Sequence, residues 1–201
     1  MNTENVDYHP IKYIDHLDRH KHIVLLYDNE KYVYWIISRY ILNGLNNNES
    51  CIFFTSDDPK TVEDRLSLEG IDVNLFKQKN SLSIYNIEKS YNYKLDILST
   101  LKHIRKEATF GMKSPYRFVG RTITDTETKD GMTLGIALEK IGHEHFDEFE
   151  CSQMCYYDIS KIEQSLRPQW IGNLLKNHHN VIYASEPDKA VAFDTKLLDE
   201  G

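Results

Sequence analysis

Histidine, cysteine and carboxylate residues crowd one stretch of this chain, "HEHFDEFECSQMC", residues 143–155. On a helix, His143, Asp147 and either Glu150 or Cys151 would share a face, at i, i+4 and i+7 or i+8. Imidazole, carboxylate and thiolate are all acceptable zinc donors. Yet His143 and His145 are two apart and point away from each other, and no strict zinc spacing is present. The stretch is therefore expected to be a solvated helix face. A metal site among His143, His145, Cys151 and Cys155 is the alternative. There is no G-x-S-x-G elbow and no H-E-x-x-H. Cys155 sits in a buried-looking strand and reads as a small apolar filler rather than a nucleophile.

A second place for chemistry is the corner in "HIVLLYDNEKYVYWII", residues 22–37. A strand, a tight turn and a helix start follow one another, as where many α/β proteins hold phosphate. A phosphate loop needs glycines for close backbone approach and a lysine for charge. Here the turn is Asp28-Asn29-Glu30. None of the nine glycines begins GxxxxGK[ST], and no glycine precedes a lysine. Two carboxylates would repel an incoming phosphate. The corner reads as an N-capped turn with Asn29 or Asp28 as the cap. The Walker A motif is absent, and ATPase activity is not expected.

A third candidate is basic. "KHIRKEATFGMKSPYR" carries Lys102, Arg105, Lys106, Lys113 and Arg117 and reads as a solvated helix face plus a loop. Arg121 differs because it follows an apolar strand, near the usual ligand crevice of an open α/β sheet. A structural ion pair is its other reading.

The elements that must position these groups alternate. Strands are expected at 22–27, 50–55, 81–85, 116–123, 153–159 and 180–184. Helical spacing runs through Lys31–Leu45, from Asp58 to Gly70, about 94–107, 132–150, and from Pro168 to about Asn177. The fold class is α/β, with a mostly parallel central sheet flanked by helices on both faces. A single domain is expected over residues 1–201, with its core at about 20–185 and a loosely packed or interface-forming tail at 187–201.

Composition limits the partners. The chain has 201 residues and a formal net charge of -7. That field disfavours nucleic acid and anionic membranes. Three cysteines without a CxxC fit a reducing cytoplasm better than a disulfide framework. The polar, acidic start is no signal peptide, and no apolar run is long enough to span a bilayer. A cytoplasmic protein is expected.

Ordered motifs along the chain resemble the MEDS domain, the methanogen/methylotroph sensory domain. That family shows a histidine leading an apolar strand that ends in tyrosine, then a helix closing with Gly-Leu and a Glu before the next strand. His22, Tyr27, Gly44, Leu45 and Glu49 fill those places. Gly70-Ile71-Asp72-Val73, "SLSIY", Arg121, "CYYDIS" with Cys155, Tyr157 and Asp158, and "HHNVIY" with His178 follow in order. His179 stands where a proline often does, and the stretch between Arg121 and Cys155 matches poorly. The resemblance covers about residues 20–185.

The resemblance implies a RecA-like fold that has lost its phosphate loop. It also implies a sensor of small organic compounds, in a family often joined to kinase or DNA-binding modules. No such module fits in this chain, so a signalling protein partner or a homodimer would carry the output. The expected function is a non-catalytic sensory domain with no cofactor, no metal and no catalytic residue. Its ligand would lie in a crevice at the former nucleotide corner, met by His22, Tyr27, Arg121, Cys155 and Tyr157. Two other readings remain open: a protein-interaction scaffold without a ligand, for which the many tyrosines are suited, and a metal-dependent enzyme using the His143–Cys155 region.

Overall fold

Continuous apolar runs bounded by turn residues become the strands of one sheet. The computed structural model describes residues 9–89, 96–120, 128–162, 164–185 and 190–198. In chain order the elements are α1 (Pro10–Asp15), β1 (His22–Tyr27), α2 (Glu30–Asn46), β2 (Ser50–Thr55), α3 (Pro59–Leu68), α4 (Val73–Gln78), β3 (Leu82–Asn86), α5 (Ile97–Ala108), β4 (Tyr116–Val119), α6 (Lys129–Glu144), β5 (Cys151–Asp158), α7 (Arg167–Lys176), β6 (Asn180–Ala184) and β7 (Val191–Asp194). The sheet order is β3-β2-β4-β5-β1-β6-β7. Every pairing is parallel except the antiparallel β6–β7 edge. The α/β class with a mostly parallel sheet is as expected.

Both faces of the sheet are covered. Every residue of β1 and β2 is buried, which is why neither strand alternates polar with apolar. Ile23, Leu25 and Tyr27 pack with α2 and α3 residues such as Val33, Ile37, Val62 and Leu66. Val24 and Leu26 face the other way, onto Met132 of α6 and Trp170 and Leu174 of α7. Ile52 and Phe118 share that second side with Ile104 of α5. No helix among the described residues is long and apolar enough to cross a membrane.

The corner between β1 and α2 is an N-capped turn. The Asn29 side chain accepts a hydrogen bond from the Lys31 amide at 3.0 Å. Glu30 stands in the first helical turn, 3.9 Å from Arg65 and 3.7 Å from Lys161. The corner carboxylate is thus shared by cations from α3 and from the turn after β5. Asn29→Ala removes the cap and is expected to cost about 1 kcal/mol of stability, measurable as a lower urea midpoint with an unchanged slope.

Several expectations need correction. The tail does not simply pack loosely: Val191–Asp194 forms β7 and pairs with β6. The helix expected over 132–150 begins at Lys129 and ends at Glu144. A 3-10 turn at Phe146–Glu148 follows, and Cys151 already belongs to β5. The metal set His143, Asp147 and Cys151 therefore does not share one helix face. Asp147 Oδ1 instead accepts from His20 Nε2 at 2.8 Å.

The basic stretch is not wholly solvated either. Arg105 and Arg117 are buried. Arg117 donates from Nε to Glu49 at 2.5 Å, and from Nη1 to the Tyr40 carbonyl at 2.9 Å and Asn43 Oδ1 at 2.8 Å. Gly44 makes room for it: a Cβ there would lie 2.6 Å from Arg117 Cδ. Gly44 and Glu49, family-like positions in the sequence, thus serve one buried ion pair.

Candidate functional site

Parallel pairing of β1 with β5 sets His22 beside Gln153, Val24 beside Cys155 and Leu26 beside Tyr157. The side-chain period of two puts these six residues on one face of the sheet. β6 pairs on the other side of β1, with Asn180 opposite Ile23. The preceding turn therefore brings His178 and His179 to the amino end of β1. The His22 amide donates to His179 Nδ1 at 3.0 Å, and the His179 amide donates to the His22 carbonyl at 2.7 Å.

The fourth wall is α6. Its buried stripe is Met132, Gly135, Leu138, Glu139 and Gly142. A carboxylate thus stands in an apolar helical row, and that row is pressed onto the sheet. Glu139 Oε2 lies 3.6 Å from His22 Nε2, 3.6 Å from Cys155 Sγ and 3.4 Å from His178 Nε2. His22 Nε2 and Cys155 Sγ are 3.6 Å apart. These four donor atoms all fall within 4.8 Å of one another, and all four residues are buried.

An outer layer holds them. The Tyr157 hydroxyl donates to Glu139 Oε1. His178 Nδ1 lies 2.7 Å from the Leu174 carbonyl, which fixes its proton on Nδ1. Gln153 donates from Nε2 to Cys155 Sγ at 3.1 Å, while its Oε1 accepts from Arg105 at 2.6 Å. Arg105 lies over the Phe149 ring, 3.9 Å from its centroid. His22 Nδ1 approaches His143 Nδ1 at 3.4 Å.

Burial decides the charge states. It pushes the His178 imidazole down to about 3. The His22 imidazole is held well below its usual value, first by burial and then by the adjoining His178, His143 and Arg105, which disfavour a further positive charge. Burial also raises the Glu139 carboxyl, against the hydrogen bonds from Tyr157 and Cys155, and drives the Cys155 thiol well up. The cluster by itself favours uncharged groups, because removing a charge from water is costly.

The cluster lies beside a cavity. A space of about 270 Å³ opens between α6 and α7, lined by Met132, Thr133, Ile136, Leu166, Trp170 and Asn173 among others. Trp170 meets Tyr157 edge to face, with ring centroids 4.9 Å apart. Cavity wall, tyrosine and carboxylate form one line of contact, from Trp170 through Tyr157 to Glu139.

Of the five residues expected to form a site, His22, Cys155 and Tyr157 come together here. Tyr27 points to the opposite face of the sheet, into the α2 core. Arg121 lies outside the described residues. The cluster is also not at the β1–α2 corner, where the ligand crevice was expected. His22 opens β1, whereas Asp28 follows its far end, about 17 Å along the strand at roughly 3.3 Å per residue. A shallow hollow at the corner itself, lined by Glu30, Tyr34 and Arg65, contains none of the five.

Sequence reasoning missed Glu139 altogether. The available signal was a lone carboxylate in phase with Met132, Gly135 and Gly142. His178 was recognised only as a family position. No sequence spacing links residues 22, 139, 155 and 178; only the sheet order does.

Comparison with curated proteins finds no match. Residues 21–189, most of the chain, match the family described as MEDS, MEthanogen/methylotroph, DcmR Sensory domain. With that match over nearly the whole α/β unit, this chain belongs to the MEDS sensory-domain family.

Proposed function

We propose that this chain is a non-catalytic sensory domain that binds a small organic ligand in the α6–α7 cavity and passes the bound state to a signalling protein or a second copy of itself. The observation that carries the reading is the contact line from the cavity wall at Trp170 to Tyr157 and Glu139. A cavity of about 270 Å³ suits a molecule of roughly ten heavy atoms, since about 150 Å³ holds benzene. Its lining joins an apolar wall of Met132, Ile136, Leu166 and Trp170 to the polar Lys129, Thr133, Gln169 and Asn173, and ligand sites likewise combine an apolar wall with directing polar groups. Tyr157, Cys155 and His22 stand behind that wall as the groups whose hydrogen bonding a ligand would alter. Membership of a sensory family supports the role.

The test uses the two tryptophans. Trp35 is partly exposed and Trp170 is buried at the cavity, so a Trp35→Phe background isolates the Trp170 emission. Small alcohols, ketones, carboxylic acids and amines are titrated while emission and melting temperature are followed. A binder of the folded state raises the melting temperature; at a hundred times its Kd the stabilisation is about 2.7 kcal/mol. At least one class should shift both signals. Ile136→Trp, which fills the cavity, should abolish the response while keeping the fold. A response that survives Ile136→Trp would place the ligand elsewhere. No response across all four classes would remove the small-molecule reading.

A further inference from the structure

We propose that His22, Glu139, Cys155 and His178 form a closed, four-coordinate site for a zinc-type divalent ion. This does not rest on the small-ligand reading, because the cluster is sealed beneath α6 and stands on its own geometry. Zn–S of about 2.3 Å with Zn–N and Zn–O of about 2.0–2.2 Å, at tetrahedral angles, gives ligand-to-ligand edges of about 3.3–3.6 Å. Four of the six edges are 3.6, 3.6, 3.6 and 3.4 Å, and the two from His178 Nε2 to His22 and Cys155 are within 4.8 Å.

The unused bonding capacity points the same way. His178 carries its proton on Nδ1, toward Leu174, so Nε2 offers a bare lone pair. That nitrogen is buried and has no hydrogen-bond partner. It faces Glu139 Oε2, another lone-pair atom. With His22 donating from Nδ1 to His143, its Nε2 is a third. Cys155 sulfur is the fourth atom. A metal-free cluster has at most a thiol proton and a carboxyl proton to share among these four atoms. A divalent ion that displaces both protons meets all four together. Two positive charges then balance one thiolate and one carboxylate, with both imidazoles neutral. No net charge remains among the ligands, as a dry site requires.

The outer layer has the form that metal sites use. Each ligand is held at an atom other than the one it presents, or at the presented sulfur by a donor: Tyr157 on Glu139, the Leu174 carbonyl on His178, His143 on His22 and Gln153 on Cys155. Such partners fix ring orientation and ligand basicity. Mixed thiolate, imidazole and carboxylate donors in a tetrahedron select zinc, or cobalt(II) as its spectroscopic substitute, over magnesium or calcium. Four protein ligands leave no open position, so the site is structural or sensory rather than hydrolytic.

Zinc and cobalt(II) are the probes. The full chain is purified without chelator and its metal content measured by mass spectrometry. It is then refolded with each ion and again with chelator. One ion per chain is expected, together with a higher melting temperature than the chelated protein. The cobalt form should show a thiolate-to-cobalt charge-transfer band and intense tetrahedral visible bands. Cys155→Ser should lose the charge-transfer band. Cys151→Ala, at a buried cysteine outside the cluster, should keep it. His178→Gln should weaken zinc binding by more than about a hundredfold, beyond what loss of an outer partner does. Circular dichroism confirms that each variant is folded. Folded wild-type chain with no stoichiometric ion, either as purified or after refolding, would overturn the site. So would a cobalt spectrum that Cys155→Ser leaves unchanged.

Discussion

Glu49→Ala is expected to destabilise the fold by about 3–5 kcal/mol, because it strands a buried guanidinium. Arg117 is 1% exposed and stands on β4 in the middle of the sheet. Its Nε donates to Glu49, itself 3% exposed. The remaining partners are neutral: the Tyr40 carbonyl, Asn43 Oδ1 and the face of the Tyr40 ring. They solvate the charge but do not balance it. Arg19 lies 3.7 Å from the far carboxylate oxygen but is mostly exposed, so it loses little when Glu49 is removed. Urea unfolding at neutral pH measures the loss, and it should barely change with salt, since a buried pair is poorly screened. The double variant Glu49→Leu with Arg117→Met should recover most of the stability, because no orphaned charge remains. A single-variant loss below about 1 kcal/mol would mean that the neutral partners suffice.

That ion pair also shows how much the chain discloses before folding. The exact strand spans 22–27, 50–55 and 180–184 were legible, because a strand buried on both faces is an unbroken apolar run between polar turns. The α3 start was legible because Asp58 and Pro59 carry its cap chemistry; the Asp58 side chain accepts from the Lys60 amide at 3.0 Å. Arg105 and Arg117 were misread because a run of basic residues looks alike whether its members meet water or the core. Their burial depends on partners 48 and 68 residues away, at Gln153 and Glu49. The end of α6 was misplaced because the residues after Glu144 keep a helical polarity pattern, while the chain must turn to feed Cys151 into β5. Likewise β7 has only four residues and gains its pairing from β6. The candidate site was half legible: His22, Cys155 and Tyr157 carry family-like positions on strands, whereas Glu139 looks like one more surface carboxylate until α6 is laid on the sheet.

Replacing Glu139 and Tyr157 together, as Glu139→Met with Tyr157→Phe, is expected to stabilise the chelated protein by about 1–4 kcal/mol. Glu139 is a fully enclosed carboxyl whose pKa is raised by burial against its hydrogen bonds. Ordinary packing does not need such a group there. Met132, Leu138, Trp170 and Leu174 already supply apolar surroundings on this side of the sheet. Changing both residues matters. Glu139→Met alone would leave the Tyr157 hydroxyl without its acceptor, at a cost of about 1–3 kcal/mol, and could mask the gain. Removing both partners leaves no orphan between them, and methionine follows an irregular space well. The comparison is made by urea unfolding in the presence of chelator, so that metal binding to the wild-type chain does not enter. The same double variant should lose any stabilisation by zinc, since one of four ligands is gone. A protein made sturdier when metal-free and at the same time unresponsive to zinc would show that the cluster is retained for what it binds. A loss of more than about 2 kcal/mol in chelator would instead make Glu139 and Tyr157 a structural hydrogen-bonded pair, holding α6 to β5 as Glu49 and Arg117 hold β4 to the end of α2.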